Sequence, residues 1–162
     1  MRLAGIATLG IVLALGAIGT TGAAPPRLLP PPRTAAVDCD DAAGAAVIPR
    51  GAISANHFHI APGNGSHYNP AARRYTGKFP AAVSGRQEVT LSVPPRLRAR
   101  FRIDYAGSGL ATAITFEPCP GKPATFFPGG LVFRKLEPLF LNVAVEGSDD
   151  VRRLRLGVIR PR

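Results

Sequence analysis

Pro138-Leu139-Phe140-Leu141-Asn142-Val143-Ala144-Val145, then Glu146-Gly147-Ser148-Asp149-Asp150, then Val151-Arg152-Arg153-Leu154-Arg155-Leu156-Gly157-Val158: this run sets the fold class. Leu139, Leu141, Val143 and Val145 alternate with Phe140, Asn142, Ala144 and Glu146. Leu154, Leu156 and Val158 alternate with Arg153, Arg155 and Gly157. Side chains two apart share one face of a strand, so each segment presents one apolar and one wetter face. Gly147 to Asp150 supplies the turn chemistry between them.

The same period recurs upstream. Val89, Leu91 and Val93 alternate with Glu88, Thr90 and Ser92, and Ile114 and Phe116 lie opposite Thr115. Leu97, Ala99, Phe101 and Ile103 alternate with Arg96, Arg98, Arg100 and Arg102. Weaker strand candidates are Ala45–Ile48, Ile53–Ile60 and Gly130–Arg134. Turn signals at Pro94-Pro95, Gly107-Ser108-Gly109, Pro120-Gly121-Lys122-Pro123 and Pro128-Gly129-Gly130 divide these runs. The pattern predicts an all-β fold: a single antiparallel, immunoglobulin-like β-sandwich of seven or eight strands, each with one wet face. Residues 61–85 carry Pro62, Gly63, Gly65, Pro70, Gly77 and Pro80, and are expected to form one long irregular loop. There is no internal repeat.

The other end of the chain speaks to compartment. Arg2 precedes an uncharged apolar stretch containing Ile6, Leu9, Ile11, Val12, Leu13 and Leu15, which exits through Thr21-Gly22-Ala23-Ala24. One positive charge, an apolar core and a small-residue exit make residues 1–24 a signal peptide. The alternative is an uncleaved anchor, since a membrane span needs about 20 apolar residues. Residues 25–36 form a proline-rich spacer, expected to be extended and semi-rigid. Residues 37–162 are then one β-sandwich domain, secreted or held at the cell envelope. Two cysteines in an exported chain predict one disulfide, Cys39–Cys119; two unrelated thiols are the alternative.

Several of these segments, taken in order, are also familiar as a set. They are Val89-Thr90-Leu91-Ser92-Val93-Pro94, Ile114-Thr115-Phe116-Glu117-Pro118-Cys119-Pro120, Phe127-Pro128-Gly129-Gly130-Leu131-Val132, Pro138 to Val143, and Arg152 to Gly157. The succession resembles a group of uncharacterised secreted or membrane-anchored actinobacterial proteins. The resemblance spans the second half of the chain and implies an exported, β-rich domain; it carries no activity. In that group a cysteine often precedes the Pro-Leu strand and another lies at the C-terminus. Here those places hold Leu136-Glu137 and Arg160-Pro161-Arg162, so the resemblance leaves Cys39 as the partner of Cys119.

The formal net charge is +10, and most of the cations are arginine; the lysines are Lys78, Lys122 and Lys135. Such a balance fits an anionic partner, or follows from a coding sequence rich in Arg, Ala, Gly and Pro. Export argues against nucleic acid and for an anionic envelope polymer or another exported protein. Arg98, Arg100 and Arg102, two apart, are expected on one strand face, joined by Arg153 and Arg155 if their strands neighbour each other. Arginine grips phosphate and carboxylate bidentately, so that face is the candidate anion site. The other reading is a solvated face that protects a sheet edge.

The histidines are His57, His59 and His67. His57 and His59 would share a strand face, with His67 folding back to join them as ligands for Zn or Cu. A polar strand face with incidental histidines is the competing reading. No Gly-x-Ser-x-Gly elbow occurs, and Ser66 beside His67 is adjacency only. The expectation is a non-enzymatic module that needs no cofactor and meets a membrane only through an uncleaved N-terminal segment. A metal-binding secreted protein is the alternative.

Overall fold

Phe116 is the residue at which the fold closes. Its ring packs on Phe58 at 5.3 Å, Tyr105 at 5.2 Å and Phe127 at 4.9 Å between centroids, in tilted or edge-on geometry. All four rings are buried, and edge-to-face pairs of this kind add to the stabilisation from area burial alone. The four residues come from three different sheets, so one core serves the whole domain.

The computed structural model describes residues 30–40, 48, 50–61 and 65–158. The expected signal segment 1–24, residues 25–29 of the spacer, and residues 45–47 of the Ala45–Ile48 strand candidate lie outside them. The strands are β1 (Arg33–Ala35), β2 (Ile53–Ala55), β3 (Phe58–Ile60), β4 (Ser66–Asn69), β5 (Arg74–Lys78), β6 (Ala81–Ser84) and β7 (Val89–Ser92). A 3-10 helix, Pro95–Leu97, follows. Then come β8 (Phe101–Tyr105), β9 (Ala113–Phe116), β10 (Ala124–Phe127), β11 (Gly129–Phe133), β12 (Pro138–Val145) and β13 (Val151–Val158).

The strands form three sheets, in the orders β1-β9-β7-β12-β13, β10-β6-β3-β2 and β4-β5-β11-β8. The all-β class is therefore as expected. The count is larger than seven or eight, and the pairing is not purely antiparallel, because β1 runs parallel to β9. No helix among the described residues is long and apolar enough to cross a membrane.

The C-terminal run does what its alternation requires. β12 pairs with β13 on one side and β7 on the other, and Leu139, Leu141, Val143, Val145 and Leu154 are buried. Thr90 and Thr115 hydroxyls meet at 2.9 Å across β7 and β9 on the wetter face.

Three expectations are corrected. Residues 61–85 are not one loop: β4 and β5 form a hairpin there and β6 follows. Its cross-strand Tyr68–Tyr75 pair, 4.8 Å between centroids, continues into Tyr75 stacked on Phe133 at 5.4 Å. Aromatic cross-strand pairs offset the weak strand preference of Gly65, Pro70 and Gly77 around them. The spacer is also shorter than 25–36, because Arg33–Ala35 already pairs with β9 and Ala35 is buried. Finally, Leu97 to Ile103 is not one strand. Pro95 opens the 3-10 helix, Arg98 to Arg100 complete the turn, and β8 begins only at Phe101.

Cys39 and Cys119 form a disulfide, with Cα atoms 5.5 Å apart and a sequence separation of 80. The Cys119 backbone N–H donates to the buried Thr125 hydroxyl at 2.7 Å, which fixes the loop before β10. The bridge holds the β1 segment against the sheet it extends.

Candidate anion-binding face

The β4-β5-β11-β8 sheet turns one face to the core and one outward. Tyr75, Leu131, Phe133, Phe101, Ile103 and Tyr105 lie on the inner side, and the Tyr105 hydroxyl donates to the Phe79 carbonyl at 2.8 Å. Complete burial without a charged partner pushes the Tyr105 phenol well above the usual tyrosine range, so it stays a neutral donor. The alternate residues face out, and the register sets them in rows. Arg74 and Arg134 flank the Tyr75–Phe133 pair, and the Arg134 N–H donates to the Arg100 carbonyl at 3.0 Å. One step along, Val132 sits between Thr76 and Arg102, with His67 beyond Thr76. In the next row Gly130 sits between Lys78 and Asp104.

Arg74, Arg100, Arg102 and Arg134 line a cleft of about 220 Å³, together with Ala72, Leu110 and Val132. Arg100 pairs with Glu137, and Arg102 donates to the Phe101 carbonyl at 2.9 Å. The Nε of Arg74 is buried and has no hydrogen-bond partner among the described residues. A buried donor left unmade costs about 1–3 kcal/mol, more when the group is charged. Like charges gathered in one cleft also repel. An anion in the cleft would relieve both costs.

Beside the cleft lies a wider groove of about 890 Å³ that shares Val132 with it. His67, Thr76, Lys78 and Asp104 stand around a floor of Gly129 and Gly130. The floor has to be glycine. A Cβ on Gly130 would collide with the Gly77 carbonyl oxygen, and one on Gly129 with that of Asp104. Asp104 Oδ1 accepts the Gly109 N–H at 3.1 Å.

The expected arginine stripe is thus divided. Arg100 and Arg102 reach the cleft, while Arg98 turns back from the 3-10 turn and donates from Nε to the Val93 carbonyl at 3.0 Å. Arg153 and Arg155 belong to β13 in another sheet and do not neighbour β8. There the Arg153 and Arg96 guanidinium groups lie 5.9 and 5.6 Å from the centre of the Phe140 ring, a separate cation–π patch. Arg74, Arg134 and Lys78 were not expected in a site. The alternation Arg74, Thr76, Lys78 carried that signal inside a segment read as loop.

The histidines do not converge. His57 sits in the Asn56-His57 turn with φ of 52°, before β3 begins, so it does not share a strand face with His59. His59 Nδ1 lies 2.8 Å from the Ser54 hydroxyl and Nε2 3.1 Å from the Ser84 hydroxyl. Ser84 can also donate to the His57 carbonyl at 3.3 Å, which suits a neutral His59 protonated on Nε2. Burial, then the neighbouring His57, lowers the His59 pKa below its ordinary value. His67 is exposed on β4 in a different sheet. Among the described residues no group of three or more His, Cys, Asp or Glu side chains is placed to hold a metal ion.

Comparison with protein-family models, with curated proteins and with solved structures finds no match to this chain.

Proposed function

We propose that this chain is an exported, disulfide-bonded binding module of the cell envelope, without catalytic activity, which holds an anionic polymer on the outer face of the β4-β5-β11-β8 sheet. The observation that carries the reading is the cleft: four arginines converge, and the buried Arg74 Nε has no partner among the described residues. Guanidinium groups suit phosphate and carboxylate, and two of the four are already held, Arg100 by Glu137 and Arg102 by the Phe101 carbonyl. The N-terminal pattern of one charge, an apolar core and a small-residue exit supports export, and the disulfide fits an oxidising compartment. The scaffold is an immunoglobulin-like sandwich with a third sheet added; its support is the shared core around Phe116.

The test is titration of the full chain with inorganic phosphate and with polygalacturonate at rising salt. Binding should weaken as salt screens the face, and Arg74→Gln with Arg134→Gln should lower affinity about tenfold or more. Unchanged binding in that variant at the same salt would overturn the reading.

A further inference from the structure

The cleft accounts for four cations and leaves the groove beside it without a role. The groove is the larger space, it opens on the same face, and Val132 belongs to both. Its chemistry differs from the cleft's. Lys78 stands on β5 four residues beyond Arg74, which places their Cα atoms about 13 Å apart along the strand. Asp104 faces Lys78 across Gly130, two strand spacings or about 10 Å away.

We propose that this groove is a second subsite for the ligand of the arginine cleft, and that the ligand is an extended polymer alternating anionic groups with hydroxyl donors, lying along β5. The proposal rests on the cleft being an anion site. One anionic group enters the cleft and a later one reaches Lys78. Asp104 selects what lies between. Its carboxylate repels an unbroken row of anions, but one oxygen is committed to the Gly109 N–H and the other can accept a hydroxyl. Thr76 and His67, both exposed on the same row, offer further hydroxyl and imidazole contacts. The glycine floor lets a broad hydroxylated unit lie against backbone with no side chain above it. A polyphosphate presents charge without donors and is disfavoured by the same carboxylate.

Oligogalacturonates of defined length test this, because each unit carries one carboxylate and free hydroxyls. The full chain is titrated with the monomer, with each oligomer from dimer to hexamer, and with inorganic phosphate. Affinity should step up about tenfold or more at the first oligomer that spans cleft and Lys78, since the second contact is then intramolecular. Lys78→Gln, at the groove, should remove most of that step while leaving phosphate and monomer binding unchanged, and Asp104→Asn should let polyglutamate of matched length show the same step. A length series without a step, or a step indifferent to Lys78→Gln, overturns the second subsite while leaving the cleft intact. Loss of phosphate and monomer binding in neither Arg74→Gln nor Arg134→Gln overturns the cleft itself. An equal step of the unaltered chain with polyglutamate of matched length overturns the hydroxyl assignment in favour of an acidic peptide.

Discussion

Two segments of this chain carry the same arithmetic and take different shapes. Pro138–Val145 alternates Leu139, Leu141, Val143 and Val145, and all four are buried in one continuous strand. Leu97 to Ile103 alternates Leu97, Ala99, Phe101 and Ile103, and only the last two belong to a strand. Leu97 is buried from a 3-10 helix, and Ala99 is exposed. Ala99 has little to gain from burial: a methyl group removes a small fraction of the area that Leu or Val does. Pro95, with its fixed φ, starts the helical turn, and Arg, Leu and Ala all favour helical over extended backbone. Period-two spacing specifies a strand when every inward position is large, and fails where one is not.

The largest effect should come from testing that contrast directly. Leu141→Ala, in the buried centre of β12, should cost about 2–5 kcal/mol by urea denaturation, through lost transfer energy and the cavity left behind. Ala99→Asp should change stability by less than about 0.5 kcal/mol, as exposed substitutions do. A cost at Ala99 approaching that at Leu141 would return Leu97 to Ile103 to a single inward-facing strand.

The next contrast is between a strand held by packing and a strand held by a bond. β13 has an eight-residue partner in β12, whereas β1 has three residues on a parallel edge, and parallel pairing is slightly weaker per residue. The disulfide offsets that weakness. Replacing both Cys39 and Cys119 by Ser should lower stability by up to about 4 kcal/mol for a loop of this length. Amide exchange at Thr34 and Ala35 should rise before exchange in β12 does. Equal protection in both strands without the bridge would mean that β1 is secured by its own contacts.

What the sequence made legible follows the same physics. The all-β class, the β7, β9, β12 and β13 strands and the Cys39–Cys119 pair could be read because large β-formers alternate without interruption, and because two cysteines leave one pairing. The β4–β5 hairpin could not, because Gly65, Pro70 and Gly77 carry the marks of a loop. What overrides them is tertiary: Gly77 pairs with Leu131 and Tyr75 stacks on Phe133, both from β11. One of the four cleft arginines, Arg74, went with that hairpin. Arg100 and Arg102 were found through an alternation of which only the part from Phe101 onward is strand, while Arg74 and Lys78 sat in the supposed loop and Arg134 ended a weak strand candidate. Strand neighbours across a sheet are a property of topology, which a single sequence's periodicity does not contain.

The two basic patches offer a smaller test. Arg74→Gln with Arg134→Gln should reduce phosphate affinity, whereas Arg96→Gln with Arg153→Gln, at the Phe140 ring, should not. Their effects on stability should also differ in sign. Thinning the cleft relieves like-charge repulsion and leaves stability unchanged or raised by up to about 1 kcal/mol at low salt, an effect that fades as salt rises. Removing the cations over Phe140 loses a cation–π contact of about 0.5–1 kcal/mol at an exposed site. Equal phosphate loss in the two variants would reduce the cleft to one part of a general positive surface.

The smallest effect belongs to His59, which separates an imidazole held by hydroxyls from the exposed His67. Burial first, and His57 second, lower the His59 pKa in the folded chain, so between the folded value and the unfolded value near 6.5 the unfolded chain binds more protons. The contribution of His59 is therefore complete above about pH 6.5 and is lost as pH falls through its folded pKa. His59→Gln keeps a donor and an acceptor for Ser54 and Ser84 and has no charge to gain. Its urea midpoint should fall less than that of the parent chain between about pH 7.5 and 5.5. His57→Asn tests the cause, since Asn tolerates the left-handed backbone at that turn and removes the second positive charge. It should recover the smaller part of the difference and leave the larger part, which burial produces. A His59→Gln profile as steep as the parent's would mean that the imidazole between the two serines does not carry the pH dependence.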